Sequence, residues 1–86
     1  AVTADGSIAY LPDYNDHSLR MVMVGSGVVT TLAGGSAGAD DGVGTAAKFY
    51  HPYGVVSSDD GGVVFVSDRH RIRRVDPSTG FAAAGQ

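Results

Sequence analysis

Apolar positions along the 86-residue chain come in runs of strand length, divided by short polar and glycine-rich stretches. Residues 7–11 and 62–66 are rich in Val, Ile, Tyr and Phe and predict strands. Residues 17–24, 28–33 and 70–75 are the next strand candidates. Alternation is weak, because Ile8 and Tyr10 would share one face and Ala9 and Leu11 the other. Strands that are apolar on both faces are expected between two covering layers. The turn signals are Asp5-Gly6, Gly25-Ser26-Gly27, Asp59-Asp60-Gly61-Gly62 and Pro77-Ser78-Thr79-Gly80. No segment carries a 3.6-residue period, so no long helix is expected, only one helical turn over residues 45–49. The run from Met21 to Val24 falls far short of the roughly 20 apolar residues of a membrane-spanning helix.

The pattern repeats. Ala4-Asp5-Gly6-Ser7-Ile8-Ala9-Tyr10-Leu11-Pro12-Asp13 aligns with Asp59-Asp60-Gly61-Gly62-Val63-Val64-Phe65-Val66-Ser67-Asp68 at an offset of 55. Leu19-Arg20-Met21-Val22 aligns with Ile72-Arg73-Arg74-Val75 at 53, and Leu32-Ala33-Gly34 with Ala83-Ala84-Gly85 at 51. Two copies of one unit are therefore expected, each with three clear strands and a short fourth strand before them, at residues 1–3 and 54–57. Four short antiparallel strands in a repeat of this length describe a propeller blade.

Composition sharpens this. The chain has no cysteine, no glutamate and a single lysine, with 13 glycines and 3 prolines and a net charge of −3. Straight-chain helix formers are nearly missing. The 43% hydrophobic content excludes a disordered acidic tail, and the lack of cysteine excludes a disulfide-stapled mini-protein and a cysteine-bound structural zinc. So short a chain makes one small core at most, marginal without partners.

Val28-Val29-Thr30-Thr31-Leu32-Ala33-Gly34, then Asp41-Gly42-Val43-Gly44-Thr45-Ala46-Ala47-Lys48-Phe49, then Pro52-Tyr53-Gly54-Val55 resemble the "VTTLAG…DGxGxAAxF…PxGV" connector of NHL repeats. Phe65-Val66-Ser67-Asp68 with His70-Arg71-Ile72-Arg73-Arg74-Val75 is similar to that family's "YVAD…NHRIRKI" core. The first copy matches through Tyr10-Leu11-Pro12-Asp13 and Asp16-His17-Ser18-Leu19-Arg20. The chain departs from the pattern where Asp16 and Arg69 stand for the asparagine before the histidine. It departs again where the second copy lacks two residues between Asp68 and His70, and at Pro12 within a strand end. The resemblance implies an all-β fold: two four-stranded antiparallel blades of a six-bladed β-propeller. The first blade would span 1–34, the connector loop 35–53 and the second blade 54–86. Two blades cannot close a ring, so the chain is expected to be an excerpt, with Ala1 lying past the family's Pro-x-Gly entry. Three copies forming one ring, or open units stacked head to tail, are the alternatives.

Asp13 and Asp68, His17 and His70, and Arg20 and Arg73 occupy equivalent positions. A set that recurs in each copy argues for a structural role. A strand-end aspartate accepts turn N–H groups, and an arginine ties adjacent blades through charge-assisted hydrogen bonds. His51, in a loop before Pro52, has no evident ligand partner and is expected at the surface. Arg69, His70, Arg71, Arg73 and Arg74 form the one basic cluster. Strand alternation divides it, and the four aspartates of residues 51–86 cancel its four arginines, so nucleic acid is not an expected partner. Asp40-Asp41-Gly42-Val43-Gly44 lacks the alternating ligands and closing glutamate of a calcium loop. Gly34-Gly35-Ser36-Ala37-Gly38 lacks the Lys-Ser/Thr ending of a phosphate loop, and no serine sits in a nucleophile motif.

The expected function is a non-catalytic module that presents a protein-binding or assembly surface, with protein partners, no cofactor and no membrane span. The propeller relatives include lactonases and the peptide-amidating lyase, so the resemblance also implies a second possibility, a fragment of a metal-dependent enzyme. Its expected innermost strands offer Val2, Thr3, Val55, Val56, Ser57 and Ser58, which are poor ligands. A filament or surface-layer subunit, which would place the chain outside the cell, is the third.

Overall fold

The computed structural model describes residues 1–58, 61–69 and 71–84. Among the described residues, eight strands and one turn of 3-10 helix follow in order: β1 (Ile8–Asp13), β2 (Ser18–Met23), β3 (Val28–Gly34), β4 (Gly42–Val43), η1 (Gly44–Ala46), β5 (Gly54–Ser57), β6 (Val64–Ser67), β7 (Ile72–Asp76) and β8 (Phe81–Ala84). They form two antiparallel sheets. One has the order β1-β2-β3 and the other β4-β8-β7-β6-β5. No helix among the described residues is long and apolar enough to cross a membrane.

The expectation of four strands in each unit is corrected to three and five. Residues 1–3 do run along β1, with the Tyr10 N–H donating to the Ala1 carbonyl at 2.7 Å and the Thr3 N–H to the Ile8 carbonyl at 2.9 Å. The turn at residues 4–7 cuts this short, and only the Val2–Ala9 bridge results. The second sheet gains a strand from the connector, where Gly42 pairs with Ala82 and Val43 with Phe81. Residues 35–53 are thus not wholly loop. The helical turn expected over 45–49 lies instead at Gly44–Ala46.

Hairpin turns explain the meanders. The β2–β3 and β7–β8 loops both close four residues after the strand, at Gly27 and Gly80, each near φ +77°. Their N–H groups donate to the Met23 carbonyl at 2.8 Å and the Asp76 carbonyl at 2.7 Å. A left-handed residue there costs glycine little and other residues more.

The sheets pack face to face. Ile8, Tyr10, Leu19, Met21 and Ala33 from the first meet Val55, Val64, Val66, Val75 and Ala82 from the second, with Ala47 and Phe49 of the connector wedged at one side. Register puts Tyr10 opposite Met21 and Leu19 opposite Ala33. It also aligns Val55, Val66 and Arg73, and then Val64, Val75 and Ala82. A register shift between Leu19 and Arg20 leaves Leu32 extra on β3, and Leu32 packs against this core. Each fully buried Val, Leu or Phe contributes about 1.5–3 kcal/mol relative to exposure. Among the described residues, only one face of each sheet is covered, although the strands are apolar on both.

Candidate functional site

Three features stand out: a buried arginine, a cluster of rings, and an apolar outer face on each sheet. Arg73 lies on the inward face of β7 and is 0% exposed. Its Nη1 donates to the Lys48 carbonyl at 2.6 Å, and its Nη2 donates to the Asp40 carbonyl and the Asp41 carboxylate, each at 3.1 Å. Its Nε reaches the Ala83 carbonyl at 3.4 Å, and the guanidinium lies 5.1 Å from the Phe49 ring centroid. Asp68, 3% exposed, completes the set at 3.8 Å from Nη1 and accepts the Tyr50 N–H at 3.3 Å. A charge this deep is tolerated only when its donors are satisfied, and here most of the acceptors come from the connector. Arg73 therefore locks the connector onto the second sheet.

Arg20, its counterpart, sits on the outward face of β2. Its Nε pairs with Asp13 at 3.4 Å, its Nη2 with Asp16 at 3.0 Å, and its Nη1 donates to the Thr31 hydroxyl at 2.8 Å. Its side chain is 33% exposed, and that of Asp16 is 60% exposed. Equivalent sequence positions thus hold one buried and one half-open arginine. Asp13 also accepts the Asp16 N–H at 3.3 Å. His70 lies outside the described residues.

His17 and His51 meet although 34 residues separate them. The His51 N–H donates to His17 Nδ1 at 3.1 Å, so that ring nitrogen carries no proton. His51 Nδ1 lies 2.8 Å from the Tyr14 carbonyl; a carbonyl only accepts, so this nitrogen bears the hydrogen. The His51 ring stacks on Tyr14 at 4.2 Å, and His17 stacks on Tyr50 at 5.7 Å. Both histidines hold left-handed backbone, with φ of 54° and 47°. His51 is thus half-buried and partnered rather than an isolated surface residue. The cluster fastens the β1–β2 turn to the loop before β5. Sequence reasoning missed it because nothing local in residues 50–53 points back to residues 14–17.

Among the described residues, no group of three or more His, Cys, Asp or Glu side chains is placed to hold a metal ion. The shifted titratable groups are structural. Hydrogen bonds from Ser7 and Thr3 hold the Asp5 carboxyl below the ordinary carboxylate range, and hydrogen bonds from Ser78, helped by the charge of Arg74, do so for Asp76. Burial pushes the Tyr10 hydroxyl up.

The outer faces carry the remaining apolar surface. Leu11 and Val29 stand on the first, and Val56, Phe65, Ile72 and Phe81 on the second, each between 38% and 66% exposed. A hollow of about 350 Å³ runs along the second beside Arg74, Asp76 and Phe81. The repeat alignment relates these faces to the covered ones. Phe65, Ile72 and Arg74 correspond to Tyr10, Leu19 and Met21, which face the second sheet, whereas Leu11 and Arg20 correspond to Val66 and Arg73, which face the first. Each open face therefore repeats one side of the interface already formed.

The class of protein so defined is an all-β repeat unit with antiparallel sheets stacked face to face. No family model matches the chain. It is similar to Protein SUPPRESSOR OF QUENCHING 1, chloroplastic, of Arabidopsis thaliana, with 33% identity over 81 residues, covering 83% of this chain and 8% of that protein. It is also similar to NHL repeat-containing protein 2 of Homo sapiens, with 34% identity over 83 residues, covering 85% of this chain and 11% of that protein. The chain thus spans about a tenth of the length of these curated relatives.

Proposed function

We propose that the chain is a non-catalytic segment of an NHL-type β-propeller whose work is protein interaction: its sheets are blades, and its outer faces receive further blades. The observation that carries this is the correspondence between the open faces and the two sides of the buried interface. The similarity to NHL repeat-containing protein 2 over 83 residues supports the same reading. Contacts of this kind are heterologous, so they close into a ring or continue as a filament according to the rotation between units. Blades supplied by the same polypeptide satisfy the faces equally well.

The test is the mass of the 86-residue chain in solution as a function of concentration. The reading expects association beyond the monomer, abolished by placing a charge at Phe65 or Val29. A chain that stays monomeric at high micromolar concentration, with its outer faces inert toward further blades, refutes it.

A further inference from the structure

The two sheets differ at both edges, and the difference beside β3 and β8 is the more informative. On the second, β8 is covered by β4, so that its residues Phe81 and Ala82 are paired on both sides. The corresponding residues of β3 are Thr30 and Thr31, which among the described residues are exposed and pair with β2 alone, while η1 packs against β3 and Gly80 approaches the neighbouring Leu32 carbonyl. Arg20 lies against this edge through its bond to the Thr31 hydroxyl, as Arg73 lies against β8 through the Ala83 carbonyl. On the second sheet, the segment that fills the edge also supplies the carboxylate of Asp41 and two carbonyls to the arginine.

We propose that the edge of β3 at Thr30 and Thr31, with Arg20 beside it, is a strand-addition site for an acidic, glycine-containing extended segment from a neighbouring unit. Such a segment has the chemistry of residues 40–49: a carboxylate for the guanidinium, a Gly-Val pair for the edge, and a following aromatic ring. Backbone pairing at a sheet edge provides affinity, and the charge pair fixes the register. Asp16 is the local stand-in for that carboxylate. It sits 3.0 Å from Arg20, where Asp41 sits 3.1 Å from Arg73, and its exposure makes it exchangeable. The inference rests on the interaction reading above and deepens it by naming what one edge takes.

The probe is a synthetic peptide of residues 35–53, titrated into the isotope-labelled full chain below the concentration at which it self-associates. Saturable shifts are expected at the amides of Thr30 and Thr31 and at Arg20 Nε. Arg20→Gln is expected to weaken binding roughly tenfold, the value of a charge-assisted hydrogen bond. Asp16→Asn, which removes the charge competing for Arg20 Nη2, is expected to tighten it about two- to fivefold. Asp16 is exposed and Arg20 half-open, so both changes leave the buried core intact. Absence of saturation, equal binding of a scrambled peptide, shifts confined to Phe81, Ala82 and Arg73, or an affinity indifferent to Arg20→Gln each overturn the proposal. A chain that self-associates but ignores the peptide overturns this inference alone. A chain that binds the peptide while its outer faces stay inert supports it and overturns the wider reading.

Discussion

Arg73 and Arg20 occupy the same place in the repeat, yet their removal carries very different costs. Arg73→Met keeps an unbranched apolar side chain in the buried site but removes the guanidinium that lies over Phe49, so the connector loses its clamp. The Lys48 carbonyl and the Asp41 carboxylate lose the guanidinium donor, the Asp40 carbonyl keeps only the Lys48 N–H, and Asp68, 3% exposed, loses the Arg73 charge beside it. Removing one partner of a buried pair costs about 3–5 kcal/mol. A chain of this length has a total stability on the order of 4–13 kcal/mol, so the loss is a large share. Each kcal/mol shifts Tm by about 4–8 °C in a domain of this size, so Tm falls by at least roughly 12 °C. Arg20→Met removes pairs with half-open aspartates and costs about 0.2–1 kcal/mol. Thermal and urea denaturation of the two variants, followed by circular dichroism, measures the contrast. A double-mutant cycle with Asp41→Asn adds the coupling across the connector, expected above about 0.5 kcal/mol for Arg73. Equal destabilisation by the two methionine variants would refute the assignment of Arg73 as the lock.

Other outcomes follow from single positions. Gly34 has φ +89°, and a Cβ there would lie 2.5 Å from the His17 carbonyl oxygen and 2.8 Å from the Phe49 ring. Gly34→Ala therefore costs more than about 2 kcal/mol in urea denaturation, whereas Gly25→Ala, with nothing within 4 Å, is neutral or slightly stabilising. His51→Ala loses a ring stack and the bond to the Tyr14 carbonyl, about 1–3 kcal/mol together, measured in the same assay. Asp5 and Asp76 ionise more readily folded than unfolded, so their contribution is present above the ordinary carboxylate range and is lost as pH falls below about 4. The Asp5→Asn, Asp76→Asn double variant is expected to show a shallower fall of Tm on acidification. Tyr10 acts in the opposite sense, its contribution lost as pH rises above about 10.

The strands of Val- and aromatic-rich runs were legible because local composition and turn residues both mark them. Residues 54–57 form β5 with the expected bounds, and β2 and β7 start and stop within two residues of their predicted ends. What was not legible depends on distant partners. Gly42 and Val43 look like loop in a glycine-rich connector, and become β4 only because β8 offers an edge some 40 residues later. Residues 1–3 carry strand-like composition, but the turn at Asp5 and Gly6 leaves too few residues for a ladder. The repeat made Arg20 and Arg73 visible as a pair. It could not show that one would be sealed by Asp40, Asp41 and Lys48 while the other stays half open, because that depends on which sheet the connector covers. The histidine cluster was hidden for the same reason.

The central claim is that the two outer faces are complementary halves of one contact, and a mixing experiment tests it most directly. Val29→Asp blocks the open face of the first sheet, and Phe65→Asp blocks that of the second; both positions are exposed, so the fold tolerates the charge. Each variant alone is predicted to be monomeric by sedimentation equilibrium, and an equimolar mixture is predicted to form a 1:1 dimer through the two intact faces. Dimers of either variant alone, or a mixture that remains monomeric while the unmodified chain associates, would contradict the account.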